Sequence, residues 1–520
     1  MAQVEVVALE QWLAENPAVD AKALSNRLAR LERGVDVDYR TPLLSDKSRA
    51  DAADVLHSYI GDSGYSQFDE MDAEERTKMG TRSRIPPFVE RRGDVSSYWE
   101  QPSHFSGRED SYRRAIDTVS DLIQRASLRP RSLSVTFSES PESTNLGLPT
   151  LQVGKENAQP YLDRAEAMLR DPSLLFDIYP CIMFTRGQAN GLDSYWAKAR
   201  TVWGYDHSET FVGGMFALPL IDRLRKLPIF AAWNGPDHVD TEISRVLGKS
   251  GVKYSLDYSG FDASRPGWWM EEIFAVISSW FQPNWTEHLE SLGSLLRTVG
   301  LVVPDEVWFG RTGGIPSGSI FTSVLGSLDN LASLHYAADV LGTSLSEVYV
   351  LGDDGVFMMD GDPSFDEIED ALSDLGLAAN RDKQFISEDS VHFLQRMFTR
   401  EYTVGGINRG VRSPYRALDG MLSYERLRKD WSKYLDSSRW LMQLENCKWD
   451  PRFTSFAGFL LDNDALLSEG MSPELIFKHA GGLTNVENTL GLQSFAYTSQ
   501  VVDSPRELAS VVAVKELQNG

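Results

Sequence analysis

Residues 347–359 read Glu347-Val348-Tyr349-Val350-Leu351-Gly352-Asp353-Asp354-Gly355-Val356-Phe357-Met358-Met359. Two apolar runs, 348–351 and 356–359, flank Gly352-Asp353-Asp354-Gly355. Apolar runs joined by a tight Gly/Asp turn predict a β-hairpin. Such a hairpin carries two adjacent carboxylates at its tip. The two acids repel and have no basic neighbour in sequence, so a divalent cation is their natural compensation. Taken alone, the string is also an ordinary turn, and its reading as a site depends on the rest of the chain.

Upstream, Val252, Tyr254 and Leu256 alternate, which predicts a strand running into Asp257-Tyr258-Ser259-Gly260-Phe261-Asp262. A Trp-rich helical region follows over 268–299. Gly313-Gly314-Ile315-Pro316-Ser317-Gly318 then predicts a loop opening a helix over 319–341. Its apolar face is Phe321, Leu325, Leu328, Leu331, Leu334, Ala338 and Leu341, and Gly342 is its cap. The other side carries Thr322, Gly326, Asn330 and Ser333. A glycine in mid-helix costs about 1 kcal/mol. Close approach of another chain, or of RNA, would account for it; a solvent face is the plainer alternative.

Downstream, Asp360-Gly361-Asp362 begins like a calcium loop but fails the pattern, with Phe365 sixth and Ala371 twelfth. Phe365, Ile368, Leu372 and Leu375 instead predict an amphipathic helix. Asn380-Arg381-Asp382-Lys383 leads into a strand near 384–386, a second β segment spans 391–402, and 405–520 reads as mainly helical. On the N-terminal side, 1–95 reads as mostly helical, most clearly over 21–31. A Ser/Pro/Gly-rich loop, 138–149, ends in Asn145-Leu146-Gly147-Leu148-Pro149. Lys198-Ala199-Arg200-Thr201-Val202 predicts a strand with both cations on one face, by period two. Gly61-Asp62-Ser63-Gly64 matches the string around the nucleophile of trypsin-like proteases. Only about sixty residues precede it, too few for the barrel bearing the other triad members, so it reads as a turn.

The 520 residues are 42% hydrophobic and 24% charged, as in a globular protein of more than one simple domain. No apolar run is long enough to span a bilayer, and 1–10 does not read as a signal peptide. Two cysteines, Cys181 and Cys447, suit a reducing compartment and exclude a disulfide scaffold or a four-thiolate zinc site. A net charge of −24 argues against a nucleic-acid coat protein, since affinity for polyanions comes largely from Lys and Arg. It is compatible with a local basic channel, and the cations do cluster. Arg82, Arg84, Arg91 and Arg92 form one group, Arg186, Lys198 and Arg200 another, and Arg396, Arg400, Arg409, Arg412 and Arg416 a third.

Taken in order, these strings resemble the motifs of viral RNA-dependent RNA polymerases. The pattern is closest to those of picobirnaviruses, double-stranded RNA viruses, with partitiviruses as near relatives. Asn145–Pro149 is similar to motif G, 198–200 to motif F, Asp257–Asp262 to motif A, and Ser317–Asn330 to motif B. Gly352–Asp354 is similar to motif C, Asn380–Lys383 to motif D, and Phe393-Leu394-Gln395-Arg396 to motif E. Seven strings in one order at suitable spacings make coincidence a poor explanation.

The resemblance implies an α+β fold, a closed right hand whose antiparallel palm sheet packs on helices. The expected division is an N-terminal bridge between fingers and thumb at 1–95, fingers at 96–250 and 270–315, palm at 251–269 and 316–403, and thumb and tail at 404–520. Phosphoryl transfer is mainly positioning and charge stabilisation, which asks for these residue types. Asp257, Asp353 and Asp354 are the expected ligands of Mg2+, with Mn2+ able to substitute. Lys198 and Arg200 would grip the triphosphate, and Lys383 would protonate the departing pyrophosphate. Asp262, Ser317, Gly318, Thr322 and Asn330 are expected around the nucleotide. Many positive-strand relatives carry Asn four residues after the motif B Thr; here that place is Gly326, and Asn330 lies one turn on. Template RNA is expected at Asn145, Gly147, Pro149, Arg186, Gln395 and Arg396. Partners would be template and nascent RNA, ribonucleoside triphosphates and a viral capsid protein, in the virion interior or host cytoplasm.

Two other readings compete. A reverse transcriptase shares the palm chemistry, but a carboxylate at Asp262 suits a ribose network, where DNA-synthesising relatives place a bulky side chain. A non-catalytic RNA-binding capsid-associated protein would need neither the three acids nor an acidic composition.

Overall fold

The computed structural model describes residues 4–101, 105, 107–142, 144–424, 431–490 and 502–520. Parts of the expected 404–520 unit, at 425–430 and 491–501, and Ser143 of the 138–149 loop therefore lie outside the described residues.

The hairpin forms as its pattern predicts. Leu345–Leu351 and Asp354–Met359 pair antiparallel with Leu351 opposite Asp354, so Gly352 and Asp353 alone make the turn. Gly352 has φ +60°, the positive value that the first position of such a two-residue turn demands. The hairpin is half of a four-stranded antiparallel sheet in the order Leu345–Leu351, Asp354–Met359, Lys253–Leu256, Phe385–Ser387. Both faces are covered. Val350, Phe357 and Met359 enter the large core with Leu328 and Leu331 of the Thr322–Val340 helix. Tyr349, Val356 and Met358 enter a second core with Val239 and Ile243 of the Pro236–Leu247 helix and with Val391, Phe393 and Phe398. Burial on both sides is why the strands read as continuous apolar runs rather than alternating ones.

A five-stranded sheet lies apart from the first. Its order is Glu5–Ala8, Glu306–Phe309, Leu301–Val303, Cys181–Gln188, Lys198–Gly204, antiparallel except where Cys181–Gln188 meets Leu301–Val303. It takes strands from near the start of the chain, from 181–204 and from 301–309. The N-terminal region is thus not purely helical: Glu5–Ala8 is a strand at the sheet edge.

Helices Pro414–Leu422, Lys433–Glu445, Phe453–Asn463 and Ala509–Asn519 share a separate core with the N-terminal helix Arg49–Ile60, through Leu56, Met421, Leu441, Phe456 and Val511. Residues 38–85 are tied to both sides of the molecule. Toward the C-terminal helices, Asp419 accepts from Arg49 and Arg82 at 2.8 Å each, and Arg452 pairs with Asp72 at 2.7 Å. Toward the five-stranded sheet, Gly80 N donates to Asn190 O at 2.9 Å and Ala197 N to Arg84 O at 2.6 Å. The 61–64 string lies between helices Arg49–Ile60 and Ser66–Thr77, where Ser63 N donates to Asp69 at 2.7 Å. Cys181 and Cys447 are buried and free. Among the described residues no helix is long and apolar enough to cross a membrane.

Candidate active site

Leu256 pairs with Gly355, so the next step along the two strands brings Asp257 opposite Asp354. Three carboxylates, Asp257, Asp353 and Asp354, thereby gather at one end of the central strands. Burial pushes the carboxyls of Asp353 and Asp354 up from the usual range, and the charges of neighbouring acids push in the same direction. Arg200 works against this shift at both acids, and Lys383 also does so at Asp353. Lys383 Nζ lies 2.7 Å from Asp257 Oδ2, and Asn380 Nδ2 donates to the same oxygen at 3.3 Å. Gln384 Nε2 holds the Asp257 carbonyl at 2.9 Å. The resemblance thus pointed to Lys383 and to Asp257 but not to their pairing.

The donor set is hard carboxylate oxygen, which suits Mg2+ or Mn2+. Among the described residues no three acids, histidines or cysteines converge closely enough to hold an ion. Like charges in a buried space repel, and the countercharges present are Lys383, which pairs with Asp257 and also acts on Asp353, and Arg200, which acts on Asp353 and Asp354.

Asp262 lies in the short helix Phe261–Ser264. The Ser317 hydroxyl donates to its Oδ2, and Ile315 N donates to its main-chain carbonyl at 2.7 Å. Burial raises the Asp262 carboxyl to about 6. The loop bearing Ser317 and Gly318 is pinned to the Lys198–Gly204 strand: Trp203 N donates to Ser317 O at 2.7 Å. Gly318 has φ +127°, and a Cβ there would stand 2.3 Å from the Trp203 carbonyl oxygen, so only glycine fits. Thr322 Oγ1 donates to Pro316 O at 3.1 Å, closing the loop on itself. Beneath it, Arg311 is 1% exposed, donates to the carbonyls of Gly313 and Gly314 at 2.7 Å each, and lies 4.8 Å from the Trp203 ring centroid. Lys198 and Arg200 are exposed at alternate positions of their strand, and Arg186 sits opposite Arg200 in register. Burial lowers the Lys198 ammonium, with the cations of Lys383 and Arg200 adding to the shift, so this strand carries concentrated positive charge beside the acids.

Asn330 departs from expectation. It is fully buried, and its Nδ2 stands 3.1, 3.1 and 3.3 Å from the carbonyl oxygens of Gly352, Asp353 and Asp354. Its Oδ1 accepts from the Tyr258 hydroxyl at 3.2 Å. The amide is committed to the hairpin, so Asn330 does not line an open face beside a nucleotide. Gly326 is explained by the same docking: a Cβ there would lie 3.3 Å from Gly352 Cα. The close approach belongs to this chain's own hairpin rather than to RNA or another chain.

Two expected template contacts are also corrected. Arg396 is 4% exposed and donates to Gly410 O at 3.3 Å, with Asp240 as a charge neighbour, so burial withdraws it from a solvent channel. Gly147 is buried, with the Tyr205 carbonyl oxygen 1.9 Å from where a Cβ would stand. Asn145 spends its side chain locally, accepting from Gly147 N at 2.9 Å and donating to Leu151 O at 2.7 Å. Pro149 is half-buried, with its carbonyl accepting from Asp20 N at 2.9 Å. Gln395 forms the turn of the Ser390–Phe393/Arg396–Thr399 hairpin at φ +62° and accepts from Arg412 at 3.3 Å. Sequence reading missed Tyr258, Ser327 and Arg311. Tyr258 directly follows Asp257, and Ser327 lies one turn before Asn330, which were the available signals.

The family model for viral RNA-dependent RNA polymerase matches residues 196–449. The potential RNA-dependent RNA polymerase of a human picobirnavirus is 26% identical over 446 residues, 82% of each chain. The RNA-directed RNA polymerase of Cryptosporidium parvum virus 1 is 23% identical over 273 residues, 49% of this chain and 50% of that one. In structure, the crystallised RNA-dependent RNA polymerase of a human picobirnavirus superposes with TM-score 0.82 at 23% identity, covering 99% of this chain and 100% of that one. The Sicinivirus RNA-dependent RNA polymerase superposes with TM-score 0.60 at 16% identity over 72% of this chain and 85% of that one. The carboxylates on adjacent central strands and the cationic strand beside them thus agree with the comparisons: the chain is an RNA-directed RNA polymerase, similar to those of picobirnaviruses.

Proposed function

We propose that the chain copies RNA from ribonucleoside triphosphates by metal-assisted nucleotidyl transfer, with Asp257, Asp353 and Asp354 as the acids that hold the divalent cations. The observation that carries this reading is the meeting of those acids at the ends of two adjacent strands, with Lys198, Arg200 and Lys383 around them. Bound Mg2+, or Mn2+ in its place, supplies charge to lower the pKa of the primer 3′-hydroxyl and to steady the leaving pyrophosphate. Lys198 and Arg200 receive the triphosphate from the exposed side of their strand, Arg200 through its two-pronged guanidinium. Lys383 holds Asp257 in the resting site and serves as the proton donor to pyrophosphate. Asp262 orients the Ser317 hydroxyl toward the sugar, and Gly318 and Thr322 keep that loop in shape. Arg186, beside Arg200, remains the proposed contact to template RNA.

In this reading residues 1–95 bridge fingers and thumb, 96–250 and 270–315 form the fingers, 251–269 and 316–403 the palm, and 404–520 the thumb and tail. The enzyme would act in the virion interior or host cytoplasm beside a capsid protein. Incorporation of labelled UMP and dTMP on single-stranded RNA with Mg2+ tests the reading. Dependence on template and a strong preference for UTP are expected; equal use of dTTP, or no incorporation by the folded chain, would overturn it.

A further inference from the structure

The Thr322–Val340 helix meets the hairpin turn through three side-chain positions one turn or less apart. Gly326 lets the Gly352 backbone approach, with 3.3 Å from a would-be Cβ to Gly352 Cα. Ser327 Oγ accepts from Gly352 N at 2.8 Å. Asn330 Nδ2 faces the three successive carbonyls of Gly352, Asp353 and Asp354. An amide has two hydrogens, so one is shared, and three acceptors around the nitrogen fix which way the amide points. Its oxygen then faces the Tyr258 hydroxyl, which donates to it at 3.2 Å. Tyr258 is the residue after Asp257. One buried side chain therefore touches the backbone carrying Asp353 and Asp354 and the residue adjoining Asp257.

We propose that Asn330 is a positioning residue that sets the spacing between Asp257 on its strand and Asp353 on the hairpin, and takes no part in reading the sugar. This rests on the reading of those acids as cation ligands. The physical reason is rigidity. A two-residue turn has few backbone bonds of its own, and its carbonyls here face the amide of a helix side chain. Fixing the turn to the helix holds two like-charged groups near each other against their repulsion. The same contact transmits any shift of the motif B helix to the hairpin. Ser327 and Tyr258 are the two outer members of this brace.

The test uses the full chain and three variants, Asn330→Ala, Ser327→Ala and Tyr258→Phe, beside Asp353→Ala. Four quantities are read: kcat and KM for UTP, the UTP-to-dTTP preference, Mn2+ affinity from the free-ion electron paramagnetic resonance signal, and amide hydrogen exchange at 352–355. Asn330→Ala is expected to lower kcat by about tenfold or more, with KM and sugar preference within about twofold. Mn2+ affinity should weaken and exchange at 352–355 should quicken. Tyr258→Phe and Ser327→Ala each delete one hydroxyl and should move all these readouts the same way by less. Tyr258→Phe should add little to Asn330→Ala, because both break one network. If Asn330→Ala does not fold, the two hydroxyl deletions carry the test. Collapse of sugar preference in Asn330→Ala, or unchanged kcat, Mn2+ affinity and exchange in the variants beside an inactive Asp353→Ala, would overturn the proposal alone. Normal turnover by Asp353→Ala would instead remove the reading on which it rests.

Discussion

Glu209 is an acid with no countercharge among the described residues, and replacing it with glutamine should change how stability depends on pH. It lies in the His207–Leu224 helix, is fully buried, and its Oε1 has no hydrogen-bond partner among the described residues. Oε2 receives only a long 3.4 Å bond from the Thr210 hydroxyl. Burial raises its carboxyl from 4.5 to about 8, and nearby Asp206 adds to the shift. The folded state thus keeps the proton that the unfolded chain releases near 4.5. Between these values the native state binds more protons, so stability falls as pH rises through 4.5 and stops falling above about 8. At about 1.4 kcal/mol per pH unit, the loss at pH 7 relative to acid is about 3 kcal/mol. Glu209→Gln has no such titration. Its advantage over the parent should grow by about 1 kcal/mol for each pH unit between roughly 5.5 and 7.5. Melting temperatures of both proteins across that range measure the difference, and other buried acids cancel because both proteins contain them. Parallel curves for parent and variant would refute the assignment of Glu209 as a proton held by burial.

Asp353→Ala should reduce polymerisation by about a thousandfold or more while leaving the melting temperature equal or higher, since a repelled acid is removed; near-normal turnover would take the hairpin out of the site. Arg200→Ala should raise KM for nucleotides more than it weakens template binding, and titrations of both would reassign Arg200 to the RNA channel if only template affinity fell. Asp262→Asn keeps an acceptor for the Ser317 hydroxyl but loses the charge. It should erode UTP-over-dTTP preference by more than its stability cost of ~1 kcal/mol implies, and unchanged selectivity measured on both nucleotides would sink the sugar role. Gly326→Ala gains about 1 kcal/mol of helix propensity but presses on Gly352 across 3.3 Å. Activity should therefore drop without a matching drop in melting temperature, and an enzyme of parental activity would show that the hairpin yields freely.

The hairpin, the Asp257 strand and the Lys198–Gly204 strand were legible because each element's apolar period or turn chemistry acts locally. Asn330 was misplaced for a reason periodicity cannot overcome. A polar side chain on a helix face satisfies its amide equally well with water, a ribose or a buried turn, and spacing reports only the face. Arg396 failed similarly, since a cluster of cations in sequence does not say which of them are enclosed. The Lys383–Asp257 pair joins residues 126 positions apart, and the Glu5–Ala8 strand finds its partner in Glu306–Phe309. Such pairings depend on how the sheets assemble, which no local pattern encodes.

The N-terminal region also bears on how the protein is made. Glu5 pairs with Phe309, and Thr41 donates to Met421 O across 380 positions. At ribosomal rates of about 5–20 residues per second, the first strand waits roughly 15–60 s for its partner to be synthesised. The Arg49–Ile60 helix waits longer still, because its core partners Met421, Leu441 and Phe456 come later. During that interval an edge strand and an apolar helix face have no native cover, which is the condition under which nascent chains recruit chaperones or self-associate. Residues 5–8 and 49–60 therefore gain their native cover only once residues 306–309 and the helices beyond 414 have been made.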